Sequence, residues 1–110
     1  MNLLFVCNVG MERSPTAVNV ALHLGLERKV KVNADYIGID RDTQYRQAVL
    51  SRLNEYDRIF VMDNDIGKRL EEEYSVPADK ITSLNIDDDY DVGDITLKTI
   101  IRNKLEGFIK

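Results

Sequence analysis

Two short runs in this chain, residues 3–6 and 59–62, contain no polar residue. A run of that length without alternation predicts a strand covered on both faces. Elsewhere the period changes. Ala17, Val20, Ala21 and Leu24 fall at i, i+3, i+4 and i+7, the apolar stripe of a helix that begins at Ser14 and that Gly25 is expected to stop. Residues 30–36 alternate polar and apolar, which predicts a half-exposed strand at a sheet edge. A capping signal at Asp42 and Thr43 precedes a second helical pattern through Tyr45, Ala48, Val49, Leu53 and Tyr56. Asn64 or Asp65 is expected to cap a third helix bearing Ile66, Leu70 and Tyr74, with Pro77 as its terminator. Residues 80–86 predict a fourth strand, and Leu97, Ile100, Ile101, Leu105 and Ile109 stripe a last helix. Four strands alternating with four helices predict an α/β domain built on a parallel sheet with right-handed crossovers.

Composition narrows this picture. At 110 residues with 44% hydrophobic content, the chain is expected to form one domain over 1–110 with a core of its own. Fifteen basic against nineteen acidic residues give a formal charge of −4, which argues against a nucleic-acid partner. The chain has one cysteine, so neither a disulfide framework nor a cysteine-cluster metal site is expected, and a reducing compartment is the default. The opening apolar run is short and lacks a basic flank, so neither a signal peptide nor a membrane span is expected there. The expectation is a cytoplasmic monomer without metal or cofactor. His23 has no ligand or carboxylate at useful spacing on its helix and is expected at the surface.

That one cysteine sits where the first strand should end. From Cys7 the chain runs Asn8, Val9, Gly10, Met11, Glu12, Arg13, Ser14, Pro15, a loop that closes on a helix start. Such a loop turns backbone N–H groups and the positive end of the helix dipole toward one point, an oxyanion site. A thiol with an ordinary pKa of roughly 8.5 becomes a thiolate nucleophile near a helix N-terminus and a cation. Arg13 brings a planar fork suited to two oxygens of a phosphoryl group. Ser14 has a hydroxyl to offer the sulfur, Gly10 can take positive φ in mid-loop, and Pro15 suits a first helical turn. A buried cysteine is also an ordinary apolar filler, and Arg13 an ordinary solvated helix-start residue; the joint placement favours the cradle.

Cysteine, five residues and Arg-Ser-Pro after Leu-Phe-Val resembles the phosphate loop of the low-molecular-weight protein tyrosine phosphatases, in particular their short bacterial members. Residues 58–63 with Lys68, Arg69 and Leu70 resemble that family's third strand and following helix. Ile86-Asp87-Asp88-Asp89-Tyr90 is similar to the loop carrying its general acid, usually Ile-Pro-Asp-Pro-aromatic or Ile-Pro-Asp-Asp-Tyr. Gly10 stands where the family usually has a bracing asparagine, and Glu12 where many members have a second cysteine. The resemblance implies a three-layer sandwich with a four-stranded parallel sheet in the flavodoxin-like order 2-1-3-4, whose switch point opens after the first strand. It implies hydrolysis of phosphotyrosine or a small aryl phosphate through a phosphocysteine. Cys7 would be nucleophile, Arg13 the oxyanion grip and Asp88 the acid, with Asp89 the alternative one residue on. Asn8, Val9, Gly10, Met11, Glu12, Ser14, Asp89 and Tyr90 would line the substrate.

Two other readings use the same residues. Cys7, Gly10, Met11 and Ser14 also match the loop of the B component of a sugar phosphotransferase system, a phosphocysteine carrier of like fold, and a non-catalytic phosphate-binding relative is the third. An arsenate reductase of this fold resolves its thiol with further cysteines, which this chain lacks.

Overall fold

The two unbroken apolar runs lie side by side at the centre of one parallel sheet. β1 (Asn2–Cys7) pairs with β3 (Arg58–Val61) on one side, Phe5 opposite Phe60, and with β2 (Asn33–Gly38) on the other. β4 (Ile81–Ser83) completes the sheet beside β3, giving the order β2-β1-β3-β4. This computed structural model describes residues 1–8, 13–87, 89–91 and 94–110. The loop positions Val9, Gly10, Met11 and Glu12 and the acid candidate Asp88 lie outside the described residues.

Helices cover both faces. α1 (Arg13–Arg28) packs on β1 and β2 and against α4 (Ile95–Leu105), whereas α2 (Gln44–Leu50) and α3 (Asn64–Tyr74) accompany β2, β3 and β4. The result is the three-layer α/β sandwich that right-handed crossovers require of this order. Leu3 to Val6 and Ile59 to Met62 are all buried, as their lack of alternation implies. The rings of Phe5 and Phe60 stack with centroids 5.2 Å apart, and Phe60 meets Phe108, beyond α4, edge-on.

Several boundaries differ from expectation, each for a visible reason. Gly25 does not stop α1, which runs on to Arg28. The helix closes through Lys29 at φ 57°, with the Val30 N–H donating to the Gly25 carbonyl at 2.9 Å and that of Lys29 to Leu26 at 3.4 Å, the pair of bonds of a Schellman motif. This motif takes up residues 29 and 30, so β2 begins at Asn33. α2 ends at Leu50; Leu53 and Tyr56 remain buried but belong to a short 3-10 turn, Leu53–Glu55, and its exit. β4 is regular only over three residues. Leu84 and Ile86 nevertheless continue bonding β3 and its exit, donating to Val61 at 2.8 Å and Met62 at 3.0 Å. α3 ends in Ser75 at φ 56°, ahead of Pro77. Thr43 caps α2 as expected, and Asp94 caps α4, accepting from Thr96 and Leu97 at 2.7 and 3.2 Å. His23 is exposed. Among the described residues no helix is long and apolar enough to cross a membrane.

Candidate active site

The strand ends assemble the site. Beyond the regular ladder, the Ile39 N–H donates to the Cys7 carbonyl at 2.8 Å, Met62 to Val6 at 3.0 Å and Ile86 to Met62 at 3.0 Å. These bonds hold four chain segments level at the carboxyl edge of the sheet. The next residue on each is polar or charged: Asn8, Asp40, Asp63 and Asp87. This is the edge at which open α/β sheets bind ligands.

Cys7 is the last residue of β1 and is buried. Arg13 opens α1, and although its charge is permanent the residue is only 5% exposed. Burying an unpaired cation costs several kcal/mol, on the order of the Born penalty left after relaxation; this one is enclosed by acceptors. Its Nη1 donates to the Ile86 carbonyl at 2.6 Å and to both carboxylate oxygens of Asp63, at 3.3 and 3.2 Å. Its Nη2 donates to Oδ1 of Asn8 at 3.3 Å. The solvated reading of Arg13 is therefore wrong: the side chain is built into a socket formed by three separate strand ends.

Asp63 occupies the N-cap position of α3, one residue before the expected Asn64 or Asp65, yet its side chain makes no cap bond. Its carboxylate is turned to Arg13 instead. Ser14 is fully buried, and among the described residues its Oγ has no hydrogen-bond partner, an arrangement that leaves a desolvated donor beside the cradle. Tyr90 is half-buried against the core and Asp89 is exposed. Ile86, through its carbonyl on Nη1, ties the start of the acidic loop to the arginine.

The structure thus joins Asn8 and Arg13 by a hydrogen bond, with Cys7 preceding Asn8 at the end of β1 and Ser14 following Arg13 in α1. Asp63 and the Ile86 carbonyl were not anticipated. Their signal lay in position: Asp63 directly follows the extension of β3, as Asn8 follows β1, and Ile86 is the last residue of the extension of β4. A cavity of about 390 Å³ lies one strand over, lined by Tyr36, Ile37, Gly38, Arg41, Thr43, Tyr45 and Arg46. It contains neither Cys7 nor Arg13, so it flanks the cradle and is not the seat of its chemistry.

No protein-family model and no curated protein sequence matches the chain. Solved structures do. A low-molecular-weight protein tyrosine phosphatase from T. tengcongensis superposes with a TM-score of 0.72 at 20% identity, over 99% of this chain and 95% of that one. The fold is that of the low-molecular-weight protein tyrosine phosphatases. A protein tyrosine phosphatase from Entamoeba histolytica, in a product-state mimic, gives 0.68 at 24% identity over 99% of this chain and 93% of its own. YwlE arginine phosphatase from Geobacillus stearothermophilus gives 0.60 at 19% identity over 98% and 87%. This low-molecular-weight phosphatase fold therefore accounts for nearly the whole chain, and it includes structures named for two different phosphorylated side chains.

Proposed function

We propose that this chain is a cysteine-dependent phosphomonoester hydrolase acting on a phosphorylated protein side chain, with phosphotyrosine as its substrate. The observation that carries the reading is the socket of Arg13, a buried guanidinium fixed by Asp63, Ile86 and Asn8, the last of which directly follows the chain's one cysteine. With Nη1 committed to Asp63 and Ile86 and one Nη2 proton given to Asn8, the remaining Nε and Nη2 donors form the fork that would meet an anion.

In the proposed reaction the Cys7 sulfur attacks phosphorus in line as the bond to the leaving oxygen breaks. Asp88 gives that oxygen its proton, Asp89 being the alternative. The loop amides and Arg13 stabilise the charge on the three equatorial oxygens, and the hydroxyl of Ser14 finds its partner in the sulfur. Water then hydrolyses the phosphocysteine. A phosphocysteine carrier must release its phosphoryl group to a partner protein and has no need of so firmly anchored an arginine.

Turnover of p-nitrophenyl phosphate from pH 5 to 8, with orthovanadate as inhibitor, tests the reading. The expected result is steady, vanadate-sensitive hydrolysis that Cys7→Ser abolishes. A stable phosphocysteine formed only by a phosphorylated donor protein would make the chain a carrier, and hydrolysis surviving Cys7→Ser would end the covalent mechanism. Phosphotyrosine and phosphoarginine peptides assayed side by side decide between the two substrate chemistries that this fold's named structures represent.

A further inference from the structure

The side chain of Asn8 stands between two charged groups. Its Oδ1 accepts from Nη2 of Arg13 at 3.3 Å, and its Nδ2 donates to Oδ2 of Asp40 at 3.5 Å. Only one orientation of the amide serves both neighbours, because the reverse sets oxygen against carboxylate and NH₂ against guanidinium. The Nδ2 contact is long, but the Asp40 N–H donates to the Asn8 carbonyl at 2.8 Å and fixes the two residues against each other. Asp40 is held in turn. Nη1 of Arg69 donates to its Oδ1 at 2.7 Å, while Nε of Arg69 donates to Glu73 at 3.1 Å along α3. One line of contacts thus runs from α3, through the turns after β2 and β1, to the first residue of α1.

We propose that Asp40, held by Arg69, is a positioning residue for Arg13: it orients the amide of Asn8 so that the amide oxygen faces Nη2 and keeps the guanidinium plane from turning about its Nη1 anchor. This rests on the reading of the cradle as a phosphoryl site. A planar group fixed at one corner can swing, and a second contact at another corner removes that freedom. Groups that stabilise developing charge are effective in proportion to how well they are aligned beforehand.

The sign of one substitution separates positioning from plain electrostatics. Asp40 is an anion near an anion site, so by charge alone its removal should strengthen phosphate binding. Acting through Asn8, its removal should weaken binding. The full-length chain and its variants are to be compared by titration with inorganic phosphate, by the rate of Cys7 alkylation with iodoacetamide at pH 7, and by p-nitrophenyl phosphate kinetics. Alkylation reads Cys7 alone, since no other thiol is present.

Asp40→Ala is expected to weaken phosphate binding and lower kcat by roughly 2- to 30-fold, the span of couplings carried through an intermediate residue. KM should move less, and alkylation should slow as the cation drifts. Asp40→Asn, which keeps an acceptor for Nδ2, should recover part of the loss. Asn8→Ala should reproduce it, and the double variant Asn8→Ala with Asp40→Ala should be no worse than either single one. Tighter phosphate binding with faster alkylation in Asp40→Ala, or additive losses in the double variant, would overturn the proposal. If Asp40→Ala does not fold, Arg69→Gln should show smaller losses in the same direction, and an unchanged Arg69→Gln counts against it. If the unmodified chain hydrolyses no phosphate ester, the phosphatase reading fails, and phosphate titration and alkylation still decide the role of Asp40.

Discussion

Residue by residue, the site was legible wherever chemistry and local spacing coincide, and illegible where the parallel sheet supplies the neighbour. Cys7 ends β1, Asn8 follows it and Arg13 opens α1, so the contact of Asn8 with Arg13 follows from a strand turning into a helix. Asp63 is 50 positions from Arg13, and nothing local says that an N-cap aspartate will leave its own helix to bind a guanidinium. The acid remains the residue-scale question. By the family resemblance, aligning Ile86 and Tyr90 with the Ile-Pro-Asp-Pro-aromatic pattern would put Asp88 on the acid position of the proposed reaction. Asp88→Asn is expected to slow hydrolysis of esters with poor leaving groups by roughly 10² to 10⁴, the contribution of a positioned acid, and to affect good leaving groups less. A leaving-group series on Asp88→Asn and Asp89→Asn assigns the role: the dependence appearing in Asp89→Asn alone moves the acid one residue on.

At the level of elements, existence and order were read correctly, and several ends were not. Gly25 shows why. In sequence a glycine after an apolar stripe signals a helix stop, but here it is buried inside the last turn of α1, where the exit of the same helix and the approach to β2 press against it. A Cβ at that position would come within 2.8 Å of the Val30 carbonyl oxygen and 2.8 Å of Val32 Cγ2. The oxygen is backbone, and the N–H of the same residue is tied to the Gly25 carbonyl, so it cannot yield cheaply. Gly25→Ala gains about 1 kcal/mol of helix propensity, against an overpacking cost of typically 1–3 kcal/mol. We expect a net loss of stability on the order of 1 kcal/mol in urea unfolding, with kcat per folded molecule unchanged because the clash lies at the far end of α1 from Cys7. A gain in stability would mean that residues 30–32 shift freely, and that the glycine is there for the turn alone.

Over the whole molecule, the sheet order was inferred from right-handed crossovers and a family resemblance, and the register then did what no sequence pattern could: it brought the carboxyl ends of β1, β2 and β3 and the segment after β4 to one level. The socket of Arg13 is therefore formed by segments spread from Asn8 to Ile86, and on the proposed reading an anion bound there would bridge parts of the chain that separate only when the sheet comes apart. Ligand binding to the folded state alone raises stability by RT ln(1 + [L]/Kd), about 2.7 kcal/mol at a hundredfold excess over Kd. For a chain of this length that corresponds to a rise in Tm of roughly 10 °C. Inorganic phosphate titrated into a thermal melt should produce that rise. Cys7→Ser should keep it, since the loop amides and Arg13 remain, and Arg13→Lys should lose most of it although the charge is retained, because an ammonium cannot take both the Asp63 and Ile86 contacts and still present a fork. A full rise in Arg13→Lys would show that phosphate is held by the loop amides without the guanidinium, and a rise absent even from the unmodified chain would mean that the cradle does not bind phosphate.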